Sequence, residues 1–377
     1  MFKRLTLLFK RHSSPSRLHI DRPFLVTTIV IIFFGLIMLS SASSIVAYNT
    51  YNDAYYFLKH QLISVAIGGI AFWLLSKFNY TYLRKFALPL LLISLGLLIL
   101  VFIPGLGKKV NNSQSWITLL GFSVQPAEFV KLTFMIYLAA LFERHTETPK
   151  RFLSFIIIFS ILSILMLLQP DPGTLIILGI ASFTVYYLAG GDRKHILTLA
   201  AIGVLGLGLI LMLPGGKYRV DRFRCFFDNN YSPDRYCYQL NQSLIAVGSG
   251  GIMGRGFGES RQKFLYLPEV QNDFIFAIIA EETGLVFSLL LICFFAFLFY
   301  RSFYISTRAP DGFSKNLSAG ISIWLIIQVI INIGGIIGFL PLTGVPLPLV
   351  SYGGSAMMAS LMGLGIIAGI SKQGRLH

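Results

Sequence analysis

Acidic residues are scarce in this chain: 16 Asp and Glu stand against 31 Lys and Arg in 377 residues, and charged residues of all kinds make up 12%. That is too little charge to coat a soluble protein of this size, and a soluble enzyme is excluded. Three cysteines are too few for a disulfide-built scaffold. The chain has no phosphate-cradling P-loop, no metal-ligand spacing and no nucleophile elbow. The missing P-loop argues against an ATP-driven pump. Glycines cluster in GSGGIMGRGFG (Gly248–Gly258), but this stretch follows no strand and opens no βαβ unit, so a dinucleotide site is not expected. There is no strong repeat, no low-complexity tract and no separate soluble domain. No cleavable signal precedes the first apolar run, which is expected to serve as its own targeting signal.

Apolar residues, by contrast, make up 55% of the chain, with a mean hydropathy of +0.72. At about 20 residues per crossing this suffices for roughly ten membrane spans. Apolar runs predict spans at 24–46, 57–76, 86–104, 127–143, 152–168, 173–190, 195–213, 273–300, 316–338 and 349–370. The fold class expected is an all-α polytopic membrane protein of about ten helices. Residues 1–23 form a basic tail, 24–372 a single membrane domain, and 373–377 a second short tail.

The net charge of +15 would suit a nucleic-acid binder if it were clustered on one surface, but the bases sort by membrane side. Lys3, Arg4, Lys10, Arg11, Arg17 and Arg22 precede the first span. Every second connection is then basic: Lys77/Arg84/Lys85, Arg144/Lys150/Arg151, Arg193/Lys194, Arg301/Arg308/Lys315 and Lys372/Arg375. The short connections of the other side hold only Lys108 and Lys109. The positive-inside rule therefore places both termini in the cytoplasm and predicts no nucleic-acid partner. Residues 214–272, between spans seven and eight, form a long extracytoplasmic loop with an excess of bases, suited to an anionic ligand.

Five acids fall in or at the rim of apolar spans: Glu128, Asp171, Asp273, Glu281 and Glu282. Charge at such depth is costly, so each is a candidate for function. By the topology, Glu128, Asp171 and Asp273 lie towards the outer face. Glu128 and Lys131, three apart on a helix opened by Pro126, share a side; they form either an ion pair or a site in which Lys131 also faces a phosphate. Asp171 in QPDPGT (Gln169–Thr174) reads first as a turn residue bonding nearby backbone. Asp273 stands where an N-cap would stand, and a carboxylate at the mouth of a basic loop could also serve as a general base. Glu281 and Glu282, about 12 Å further along the helix, read as packing or polar-network residues. The run FLPLTGVPLPLVSYGGSAM (Phe339–Met357) is broken by Pro341, Pro346, Pro348, Gly344, Gly353 and Gly354 and reads as a shaped crevice, supported by Asn332. Cys225 and Cys237 could pair in an oxidising compartment. Cys293 reads as a packing residue.

Five blocks carry a family likeness: WITLLGFSVQPAEFVK from Trp116, QPDPGT, YRVDR from Tyr218, the long block from Tyr238 to Gly284 that contains LPEVQND, and NIGGIIGFLPLTGVPLPLVSYGGS from Asn332. On these the chain resembles the SEDS family of bacterial cell-wall polymerases over nearly its whole length. QKFLYLPE and the ISKQ ending look FtsW-like, GVPLPLVSYGGSA looks RodA-like, and the balance leans slightly to FtsW. The resemblance implies a glycosyltransferase that polymerises lipid II, the undecaprenyl-pyrophosphate-linked disaccharide pentapeptide, at the outer face of the cytoplasmic membrane. It would serve division or elongation and shape.

The same resemblance puts the catalytic acid on Asp273. It implies substrate-site roles for Glu128 and Lys131; Asp171, Arg219, Arg222, Asn332, Ser351, Tyr352, Gly353, Gly354 and Ser355 join them as candidates. Lys131, Arg219 or Arg222 could balance the departing diphosphate, and a divalent cation (Mg or Mn) could share that role. A class B penicillin-binding transpeptidase and other divisome or elongasome proteins are the implied partners. The rival reading is a transporter of lipid-linked precursors, which ten spans and broken helices would also suit.

Overall fold

The computed structural model describes residues 20–373, apart from 111–112, 120–121, 144–148, 193, 196–202, 204–215, 229–230 and 233–236. The tails 1–19 and 374–377 and nearly all of the seventh expected span lie outside the described residues. The other nine expected spans each coincide with a helix: α1 (Arg22–Tyr51), α2 (Tyr56–Lys77), α4 (Ala87–Leu100), α5 (Pro126–Leu141), α6 (Pro149–Leu168), α7 (Pro172–Leu188), α10 (Ile275–Thr307), α11 (Gly312–Ile336) and α12 (Gly354–Ser371). A short α3 (Thr81–Lys85) links α2 to α4. Six of these helices are long and apolar enough to cross a membrane by themselves.

Burial ranks the helices. In α11, 89% of the apolar window is buried, against 11% in α2, so α11 is the central post and α2 turns most of its surface outward. Small residues permit the closest approaches: a Cβ at Gly365 would sit 2.7 Å from the Phe72 backbone, which brings α12 against α2. Cys293, expected to pack, is exposed on α10.

Two departures from the expected all-helical chain matter. Residues 107–124 are not a plain connection but a three-stranded antiparallel meander, β1 (Gly107–Val110), β2 (Ser113–Leu119) and β3 (Phe122–Val124). The long connection 214–272 is also structured. It holds α8 (Gly216–Phe227) and α9 (Tyr238–Gly250), the latter packed along α10.

After α9 the chain plugs a break in α10. At Gly284 (φ 74°) helical geometry fails, and four main-chain bonds from the 251–256 segment replace those the helix loses. Arg255 and Gly256 N–H donate to the carbonyls of Glu281 and Glu282, each at 3.0 Å, while Leu285 and Val286 N–H donate to Gly251 and Ile252 at 3.0 and 3.3 Å. The glycine cluster is what allows two backbones to lie this close: a Cβ at Gly250 would meet the Ala280 carbonyl oxygen at 2.0 Å. Non-helical backbone inside a membrane protein persists where protein satisfies it in this way.

The ends of the bundle differ. Far from Asp273, Arg301 pairs with Asp21, Asp21 N–H bonds Ser371, Tyr80 bonds Asp311, and Arg84 pairs with Glu143. These contacts gather the basic connections at one end, as their sorting by side requires. The candidate site occupies the other.

Candidate functional site

The stretch between α11 and α12 is non-helical, as its prolines and glycines dictate, and Thr343–Pro346 is its hub. Three elements meet there: α11, α7 and the segment leading into α10. Asn332 of α11, 5% exposed, donates to the carbonyls of Val345 (2.7 Å) and Asp273 (2.8 Å). Gln328, one turn earlier, donates to the Pro346 carbonyl at 2.9 Å. Gly173, at the start of α7, lies so close that a Cβ would sit 2.8 Å from Val345 and 3.1 Å from the Thr343 carbonyl. Gly344 (φ 73°) faces Asp273, whose Oδ2 would be 3.4 Å from a Cβ placed there. Asp273, Asn332, Thr343 and Gly344 line a narrow crevice of about 10 Å³. Asp273 is half-buried at its edge.

Asp273 is not the N-cap its position suggested. The helix starts at Ile275 after Phe274, with no side-chain cap. The preceding turn is closed by main chain, Asp273 N–H bonding Glu269 at 3.2 Å. The side chain lies at the crevice, facing Gly344.

Behind the hub, Lys131 is fully buried and bonds Glu128 Oε1 and Gln328 Oε1, each at 2.8 Å. Trp324 donates to the same Gln328 oxygen at 3.0 Å, and its ring lies 5.4 Å from the ammonium. The i,i+3 pair thus closes as an ion pair. With no exposed surface, Lys131 cannot touch a phosphate in this conformation; through Gln328 it braces Pro346. The second oxygens of Glu128 and Asp171 and the amide oxygen of Asn332 are buried without a protein partner among the described residues.

Asp171 caps α7, accepting from Thr174 N–H at 3.1 Å, the turn role its sequence suggested. Ser351 Oγ accepts from Leu347 N–H, and Ser355 Oγ from Gln125 N–H. Gln61 of α2 donates to the Ser351 carbonyl and accepts from Gly353 N–H. Tyr352 N–H bonds the Gln271 carbonyl at 2.8 Å, and its ring packs edge-on against Phe57, 4.8 Å between centroids. Ser351–Ser355 is thus a pinned hinge between the hub and α12. Gln61 and Gln328 are not among the residues singled out from the sequence; Gln61 is the lone amide of its apolar span, and Gln328 shares its span with Asn316 and Asn332, so an amide amid apolar residues is the signal that finds them.

Arg219 and Arg222 belong to α8; their side chains lie outside the described residues. Cys225 and Cys237 form a disulfide, Cα–Cα 5.3 Å, linking α8 to the start of α9. Among the described residues no three His, Cys, Asp or Glu side chains converge to hold a metal unaided.

Fold and site together define a polytopic membrane protein whose broken helices frame a carboxylate crevice at one end of the bundle. The family model for the FtsW/RodA/SpoVE cell cycle proteins matches residues 22–376, and the chain belongs to that family. Stage V sporulation protein E of Bacillus subtilis is 38% identical over 364 residues, 94% of this chain and 98% of its own. A probable peptidoglycan glycosyltransferase FtsW of Trichlorobacter lovleyi is 34% identical, covering 93% of each chain. Among solved structures, RodA of Thermus thermophilus matches with a TM-score of 0.70 at 26% identity, over 94% of this chain and 97% of its own. A structure described as showing coordination of polymerization and crosslinking by a peptidoglycan synthase complex matches with a TM-score of 0.75 at 25% identity, over 93% and 97%.

Proposed function

We infer that this chain is a peptidoglycan glycosyltransferase of the cell-division and cell-shape machinery, polymerising lipid II. The relatives named as probable glycosyltransferases support the activity and favour the FtsW-like role. The observation that carries the mechanism is the half-buried Asp273 at a crevice whose other wall is the hub.

Asp273 accepts the proton of the acceptor sugar's 4-hydroxyl as that oxygen bonds the donor's anomeric carbon. The bond from that carbon to the diphosphate oxygen breaks, and the diphosphate leaves with the electron pair. Arg219 and Arg222 on α8 supply positive charge to the leaving group. Glu128, Lys131 and Gln328 hold the hub from behind, and Asn332 ties it to Asp273. If Mg²⁺ or Mn²⁺ takes part, it adds charge on the diphosphate, carried mainly by the substrate's own oxygens.

The basic end of the bundle faces the cytoplasm of the bacterial membrane, which puts the crevice outside, beside a partner that performs crosslinking, a class B transpeptidase. The test is polymerisation of purified lipid II by the wild type and by Asp273→Asn, each with and without that partner. Glycan is expected only with the aspartate. An Asn variant that polymerises normally beside its partner removes Asp273 as the base. Carriage of lipid II across vesicles with no glycan formed would instead favour the transporter. An impermeant reagent should label Cys introduced at position 273 from outside intact cells.

A further inference from the structure

The break at Gly284 leaves residues 275–283 as a nine-residue half-helix, with Asp273 just above its first turn and Glu281 and Glu282 at its foot. Both glutamates are 1% exposed, and neither has a part in the transfer chemistry. Glu282 Oε1 accepts from Lys263 Nζ (3.0 Å) and Ser41 Oγ (2.7 Å). Lys263 Nζ also bonds Ser41 Oγ and the Gly258 carbonyl. Glu281 accepts from Ser260 Oγ and from Arg261 and Gln262 N–H, with Arg255 at 3.6 Å. A half-helix this short has little stability of its own. Its place depends on the four main-chain bonds across the break and on these buried charges.

We propose that the Lys263–Glu282 pair, with Glu281 beside it, is a positioning device that clamps the foot of the half-helix and so sets Asp273 against the hub. Lys263 and Glu282 are positioning residues; neither lines the crevice, and Glu282 stands nine residues, about 13 Å at 1.5 Å per residue, from Asp273. The pair joins three parts of the chain: α1 through Ser41, the half-helix through Glu282, and the stretch after the plugging segment through Lys263. Released at its foot, the half-helix keeps its upper tie, Asn332 to the Asp273 carbonyl, and pivots about it. The proposal rests on Asp273 being the base, and its test separates the two.

Three variants are compared with wild type in detergent and with the partner present: Lys263→Ala, Glu282→Gln and the double Lys263→Ala/Glu282→Gln. Removing one member of a buried pair is the more damaging change, and removing both relieves the stranded charge. The double variant is therefore expected to recover most of the wild-type yield of monodisperse protein. Its kcat for glycan formation should nevertheless stay at least tenfold down, with KM for lipid II within about twofold. Hydrogen exchange should rise at least tenfold across residues 269–283 and hardly at all in α11.

A double variant with wild-type kcat and unchanged exchange overturns the proposal. So does a loss of kcat matched by equal loss of folded protein in all three. The exchange measurement does not depend on Asp273 being the base: faster exchange in 269–283, in a protein whose Asp273→Asn variant still polymerises, would retain the clamp and discard the base.

Discussion

At Gly284 the interruption of α10 is filled by main chain from the 251–256 segment, whereas the interruption between α11 and α12 is filled by amide side chains, Gln61, Gln328 and Asn332. The first repair depends on glycines that let two backbones touch. The second depends on side chains of the right length aimed at carbonyls. A backbone plug tolerates changes of side-chain chemistry but not of size; an amide brace is the reverse. Asp273 sits between the two, its main-chain carbonyl bonded by Asn332 of the amide brace and its chain joined to the plug through the nine helical residues 275–283.

The contrast can be broken from either side. Gly250→Val should have the largest effect, because a Cβ there meets the Ala280 oxygen at 2.0 Å and main chain cannot yield. A loss of more than about 4 kcal/mol is expected, read as absence of monodisperse protein after extraction; normal yield would mean that the plug is not tightly seated. Asn332→Leu keeps the volume but strips the donor from two carbonyls, at about 1–3 kcal/mol each. Folded protein should survive with a lowered Tm, while polymerisation falls at least tenfold. Equal activity would show that the brace does not fix Asp273. Gln61→Leu should be the mildest, about 1 kcal/mol, because the hinge it holds is also pinned through Gln271 and Gln125. A collapse of activity here would give the hinge a larger part than its contacts indicate.

Much of the frame was legible because lipid imposes it. Apolar runs located nine helices among the described residues, and the sorting of bases matched the gathering of Asp21, Arg84, Tyr80 and Arg301 contacts at one end. Local spacing gave the Glu128–Lys131 pair and the cap at Asp171, since both are settled within one turn. The prolines and glycines of 339–357 gave the break before α12.

What stayed hidden needed partners distant in sequence. The strands of residues 107–124 are too short and polar to stand out in a membrane protein. The glycines of 248–258 looked like a weak ligand loop because their true partner, the backbone of 280–286, lies some thirty residues on. Asp273 had the position of a cap, yet the helix begins two residues later and the turn before it is closed by main-chain bonds to Glu269 and by Asn272 donating to the Glu269 carboxylate. Gln61 and Gln328 gain meaning only from the carbonyls they meet.

The break in α10 also bears on how the protein lives with its solvent. As one rod, 33 residues would measure about 50 Å, far beyond the roughly 30 Å of hydrocarbon it crosses. A rod that long must lean, and its lean would follow every local thinning or thickening of the bilayer. Split at residue 284, it becomes two limbs of about 14 and 35 Å, and the longer one alone is close to the hydrocarbon thickness.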